Sequence, residues 1–177
     1  INLAGFLDEA GDRRRAEELA RESLRIFRKT LPAEHENISL ARAGLARIYA
    51  SQGRFDDALD LQREAVEELR QRHGDRHPRY VVALHNFAAM EFESGAFTAA
   101  LATYRRLVPL WVSVVGPNHQ NVAFARAGLA KVLIELDQPE AAREQLLMAR
   151  DIALESLGPE NPVVASSGPI GASVGGL

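Results

Sequence analysis

The stretch LeuAlaArgIleTyrAlaSerGlnGlyArgPheAspAspAla (45–58) decides the fold, because three of its features return along the chain at one fixed interval. Displacing the sequence by 42 residues lays Gly53 over Gly11 and Gly95, with Asp137 in the fourth place. Ala58 falls in line with Ala16, Ala100 and Ala142. Leu45 falls in line with Leu3, Phe87 and Leu129, and each of these is followed by alanine, at Ala4, Ala46, Ala88 and Ala130. A further ladder joins His35, His77 and His119 and ends at Asn161. Coincidence of independent ladders at one spacing marks a repeat array, in which each unit buries its apolar face only against its neighbours.

Within one unit the periodicity is helical. Apolar residues at 41, 45, 48 and 49 follow the i, i+4, i+7, i+8 spacing of an amphipathic helix. Gly53 fits the end of that helix, where a left-handed conformation costs glycine nothing. A second helix is predicted from about Phe55, with Ala58, Leu59, Leu61, Ala65, Val66 and Leu69 on its inner stripe, stopping at His73-Gly74. The connector GlyAspArgHisPro (74–78) joins a helix-ending glycine to a proline suited to opening the next helix. Ala46 and Ala58 are placed where the two helices of a hairpin cross, because helix axes approach to about 8–10 Å only over small side chains. These signals predict a partial unit at 1–36, repeats at 37–78, 79–120 and 121–162, and a Gly/Ser/Ala-rich tail at 163–177 read as disordered or a linker.

The 177 residues are about 46% apolar and 25% charged, the balance of an ordinary globular chain. A net charge of −3 gives no general pull toward nucleic acid. Cysteine is absent, which removes disulfides, thiolate catalysis and cysteine zinc sites. No apolar run approaches the ~20 residues that cross a bilayer. The chain begins at Ile1 rather than Met, so it is read as a fragment or processed piece.

The phrases LeuHisAsnPheAla (84–88), SerGlnGlyArgPheAspAspAla (51–58) and GlyAspArgHisPro (74–78) resemble the tetratricopeptide repeat, in the longer 42-residue form found in kinesin light chains. The resemblance covers residues 1–162. It implies an all-α fold, a right-handed α-solenoid of antiparallel helix–turn–helix repeats whose first helices line a concave groove where a partner's peptide or helix docks. Carried over by position, the groove falls on Leu40, Ala43, Arg47, Ala50 and Ser51, then Val82, His85, Asn86, Ala89, Phe92 and Glu93, then Phe124, Ala127, Lys131, Ile134 and Glu135. Asn86 matches the family's asparagine, whereas Gly44 and Gly128 stand at the equivalent places. Arg47, His85 and Lys131 would supply donors there, and Leu40, Val82, Phe92 and Phe124 apolar pockets.

Catalytic patterns are missing. His35-Glu36 lacks the second histidine of a zinc-protease motif, and neither a phosphate-binding Gly-Lys-Ser/Thr loop nor a Gly-x-Ser-x-Gly elbow occurs. Successive repeats would hold the ladder histidines some 15–20 Å apart, roughly, by helix packing distances. One zinc ion cannot reach across that span, so these histidines are read as connector residues bonded to loop backbone. The run LeuValProLeuTrpValSerValVal (107–115) is the exception to ordinary amphipathicity, with Pro109 inside a predicted helix. Val108, Leu110, Trp111, Val112 and Val115 form a possible second interface, for self-association or for packing on a further effector domain. The expectation is a cytoplasmic, non-catalytic scaffold binding a protein or peptide, with no cofactor or metal and no nucleic-acid or membrane partner, and with homo-oligomerisation left open.

Overall fold

The computed structural model describes residues 2–32 and 35–157; the tail at 163–177 and the last rung of the histidine ladder, Asn161, lie outside them. Eight α-helices and no strand occur among the described residues. They are α1 (Asn2–Glu9), α2 (Arg13–Thr30), α3 (Glu36–Ser51), α4 (Phe55–His73), α5 (Pro78–Glu93), α6 (Phe97–Val115), α7 (Gln120–Glu135) and α8 (Pro139–Leu157). The register is exact to the residue. First helices begin at Glu36, Pro78 and Gln120, second helices at Phe55, Phe97 and Pro139.

Local chemistry sets each boundary. His35, His77 and His119 are the N-caps of α3, α5 and α7. In each case the imidazole Nδ1 accepts a hydrogen bond from the backbone N–H two residues on, at Asn37, Arg79 and Asn121, over 3.1–3.2 Å. That satisfies one of the donors a helix start leaves orphaned. The connector role of the ladder histidines is therefore a capping role.

The helix ends repeat as faithfully. After α3, Gly53 donates to the Ala50 carbonyl and Arg54 to that of Tyr49, both at 2.9 Å. This paired turn requires a left-handed residue, and Gly53 has φ 77°. Asp137 makes the same turn after α7, donating to Ile134 while Gln138 donates to Leu133. It does so at φ 55°, alone among the described non-glycine residues in having a positive φ.

Two compact units divide the chain, the first running to Thr103 and the second starting at Tyr104, within α6. In the first, α3 packs against α1, α2 and α4, and α4 against α5. Its core gathers Ala16, Ala20, Leu24, Ile38, Leu45, Ile48 and Tyr49. In the second, α7 packs on α8, with Val122, Ala125, Leu129, Val132 and Leu133 buried along α7. The alanine ladders through Ala58 and Ala46 are buried at every described rung.

The apolar run at 107–115 is less outward than its sequence suggests. Trp111 is only 3% exposed and Val108 is buried, while Leu110, Val112 and Val115 are partly covered. Pro109 lies on the exposed side of α6. There its missing N–H and ring disturb the helix ladder where water can replace the lost bond.

Candidate functional site

In the first unit, α3 and α5 border a groove floored by α4. Toward the start of these first helices it forms a hollow of about 360 Å³ lined by Leu40, Ala43, Val82 and Asn86, with Leu69, Arg72, His73 and Arg79 at the rim. Toward their ends it continues as a hollow of about 480 Å³ lined by Ala43, Arg47, Ala50, Ser51, Asn86, Ala89 and Glu93. Ala43, Gln62 and Asn86 belong to both, so the two hollows are one trough. Small residues on α3 and α5 leave the trough unfilled, and the larger Leu40 and Val82 stand at one end.

Gln62 forms the polar floor. It is 2% exposed, and its Nε2 donates to the Ala83 carbonyl at 3.0 Å, tying α4 to α5. Sequence reading passed over this residue, although its place four residues after Ala58 and three before Ala65 puts it on the buried stripe. Arg47 reaches from α3 to α1, where its Nη2 rests over Gly5. Ser51 Oγ contacts Asp8 at 2.8 Å.

His85 is half-buried on α5 and does not line either hollow; burial holds its imidazole below the ordinary range. Phe92 packs on Phe97 with ring centroids 5.6 Å apart. Phe124 and Lys131 are exposed on α7 in the second unit. Leu40, Val82 and Phe124 occupy one register position in three successive repeats and are 51%, 46% and 59% exposed.

The charged rim is largely internally compensated. Glu68 accepts from Arg42 at 2.6 Å and from Arg72 at 2.7 Å, and Arg79 pairs with Glu36 at 3.0 Å. His73 stacks on His77 at 4.3 Å across the α4–α5 connector. Desolvation and then the neighbouring His77, Arg72 and Arg79 lower its pKa, with Glu36 opposing. Gly74, at φ 82°, breaks the helix between the two histidines, and His77 Nδ1 is engaged in capping. Among the described residues no group of three or more His, Asp or Glu is placed to hold a metal ion, and no helix is long and apolar enough to cross a membrane.

One buried acid stands outside the trough. Glu91 on α5 is 7% exposed, with Oε2 lacking a hydrogen-bond partner. Burial raises its pKa, against the Thr103 hydroxyl that donates to it and the nearby Arg63. Tyr49 and Leu133 hold the equivalent position in the neighbouring repeats.

Comparison with known proteins agrees with this architecture. The tetratricopeptide repeat pattern matches residues 1–71, 43–110 and 80–155. Among solved structures, the chain is similar to the nearly identical TPR-like repeats of a kinesin light chain from P. anserina. The TM-score is 0.79 and the identity 23%, over 94% of this chain and 79% of that one. It is also similar to BtubC (BKLC) from P. vanneervenii, with a TM-score of 0.78 and 18% identity over 88% of this chain and 62% of that one. Among curated proteins it is 26% identical over 163 residues to the clustered mitochondria protein homolog of Homo sapiens and 28% identical to that of Danio rerio. The match takes in 92% of this chain in both cases, but only 12% and 11% of those much longer proteins. Helix pairing, repeat register and sequence pattern converge: the chain belongs to the tetratricopeptide repeat family.

Proposed function

We propose that this chain is a non-catalytic interaction module that takes a peptide or helix of a partner protein in the groove lined by its first helices. The carrying observation is the ladder of Leu40, Val82 and Phe124, a bulky apolar side chain left exposed at one register position in each full repeat. Single exposed apolar residues need no explanation, but Leu40 and Val82 both line the hollow between α3 and α5. In the trough of the first unit, Leu40 and Val82 supply apolar contact, while the exposed Asn86 offers hydrogen-bonding groups to a peptide backbone. Arg47 adds a cationic side chain farther along the trough, and Lys131 holds the same register position on α7. The protein is proposed to act in the cytoplasm, with neither cofactor nor nucleic acid taking part.

The second reading, docking or self-association through residues 107–115, is less favoured. Its strongest anchor, Trp111, is buried, and an interface needs its aromatic anchors accessible.

The test is enrichment from a displayed peptide library by the wild type and by a Leu40→Glu/Val82→Glu variant with unchanged helical circular dichroism. Related peptides enriched by the wild type and lost by the variant support the groove. Equal enrichment by both proteins, or none by either, overturns it.

A further inference from the structure

A second cleft lies on the other face of α3, between α2 and α4. It has a volume of about 500 Å³, and its walls carry opposite charge. On α2 stand Arg21, Arg25 and Arg28; on α4 stand Asp57, Asp60 and Glu64. The asymmetry extends beyond the lining residues. α2 carries seven basic and three acidic side chains, whereas α4 carries six acidic side chains and three arginines. Each lining triplet spans eight residues, about 10 Å or two turns of helix. Leu24, Leu45, Tyr49 and Leu61 make an apolar floor between them.

The two walls do not neutralise each other across the cleft. Arg21 pairs with Glu17 and Arg25 with Glu22, both on α2. Asp57 pairs with Arg54 and Asp60 with Arg63, beside it in the chain, and Glu64 approaches Arg42 of α3. The pairs made by Arg25, Asp57 and Asp60 are exposed, and such pairs are weak and readily exchanged for a partner's charges. Only at one end is the cleft bridged, where Arg54 Nη1 meets Glu17 at 3.0 Å and lies over the Tyr49 ring, while Arg21 Nε donates to the Tyr49 hydroxyl at 2.9 Å.

We propose that this cleft docks an amphipathic helix of a partner protein. That helix carries acidic side chains along the flank facing α2, basic side chains along the flank facing α4, and an apolar ridge between. Straight parallel stripes two turns long match the side-chain rows of a helix. A polyanion such as a nucleic acid would gain Arg21, Arg25 and Arg28 but be repelled by Asp57, Asp60 and Glu64 a groove's width away. The site is separate from the trough between α3 and α5, and the inference stands whether or not that trough binds a peptide.

The test uses the full chain and three synthetic helical peptides sharing one leucine ridge. One has a glutamate flank and a lysine flank, one is glutamate on both flanks, and one is lysine on both. By fluorescence anisotropy the mixed peptide binds the wild type about tenfold more tightly than either uniform peptide, from three complementary contacts per flank. Arg25→Glu/Arg28→Glu shifts the preference to the lysine peptide, and Asp57→Lys/Asp60→Lys shifts it to the glutamate peptide. All four positions are exposed, and circular dichroism checks that each variant keeps its helices. Leu40→Glu/Val82→Glu leaves all three affinities unchanged. The proposal is overturned if the wild type prefers the glutamate peptide, binds none of the three, or loses the mixed peptide on the Leu40/Val82 substitution. It is equally overturned if the charge-reversed variants keep the wild-type order.

Discussion

The ring of Tyr104 sits directly over the backbone of Gly128. A Cβ built on that glycine would lie 2.5 Å from Cε1 and Cζ of the ring and 2.6 Å from the hydroxyl oxygen. Real Cβ atoms do not come so close, so α6 approaches α7 at this point because residue 128 has no side chain. Gly128→Ala gains about 1 kcal/mol of helix propensity but forces a ring that is 4% exposed to move. The expected net result is a loss of about 1–2 kcal/mol, read as a lower denaturation midpoint. Tyr104→Leu should relieve the Gly128→Ala variant in a double-mutant cycle.

Ala58 is fully buried at the start of α4. Ala58→Leu adds three carbons where none fit, and a loss of about 1–3 kcal/mol follows from overpacking. Thermal melting checks it, and an unchanged midpoint would rule out the close crossing.

Asp137 holds a left-handed conformation that its Cβ disfavours by roughly 1 kcal/mol. Gly53 does the same work elsewhere in the ladder without that strain. Asp137→Gly should raise stability by about 0.5 kcal/mol, the strain relief being partly offset by the looser unfolded chain. Chemical denaturation with an unchanged m-value is the measurement.

His77 caps α5 through Nδ1. Removing the acceptor in His77→Ala is expected to cost about 1 kcal/mol. His77→Asp keeps an acceptor and adds a charge suited to the helix start, so it should hold wild-type stability at neutral pH. If both variants melt alike, the cap contributes nothing.

Glu91 predicts a pH effect with a definite sign. Its folded pKa is raised above the ordinary 4.5, so the folded protein retains the proton more strongly than the unfolded chain. Its contribution is most favourable below pH 4.5 and is lost as pH rises through the raised value. Glu91→Gln, which keeps a partner for Thr103, should therefore stabilise by about 1 kcal/mol at pH 7. The gain should vanish in acid, as followed by urea denaturation across the pH range.

The repeat was readable because capping and close packing restrict residue type. Only a few residues serve at His77 or Gly53, and only the smallest at Ala58, so those positions recur visibly at a fixed interval. The predicted helix from about Phe55 to His73 agrees with α4 for the same reason. Burial of Gln62 and Glu91 was not read, because their polarity argues for solvent while neighbouring helices cover them. The glycine at 128 stood in the sequence as a departure from the family's asparagine. Its steric reason lies on another helix, beyond the reach of local pattern. Trp111 stood among the residues of a possible second interface and is buried, because hydrophobicity says that a residue will be buried or sticky, but not which. The groove positions on α3 and α5 came from resemblance, and physical spacing alone would not have separated that face of α3 from the face lining the α2–α4 cleft.

The first helices α3, α5 and α7 each carry a starting signal in the preceding histidine and a stopping signal in the turn that follows. Neither depends on which repeat comes before or after. A genetic duplication or deletion of one full period therefore leaves these start and stop signals intact. Arrays of this kind can lengthen or shorten by recombination in whole hairpins, and new sequence is needed only where a surface meets a different partner.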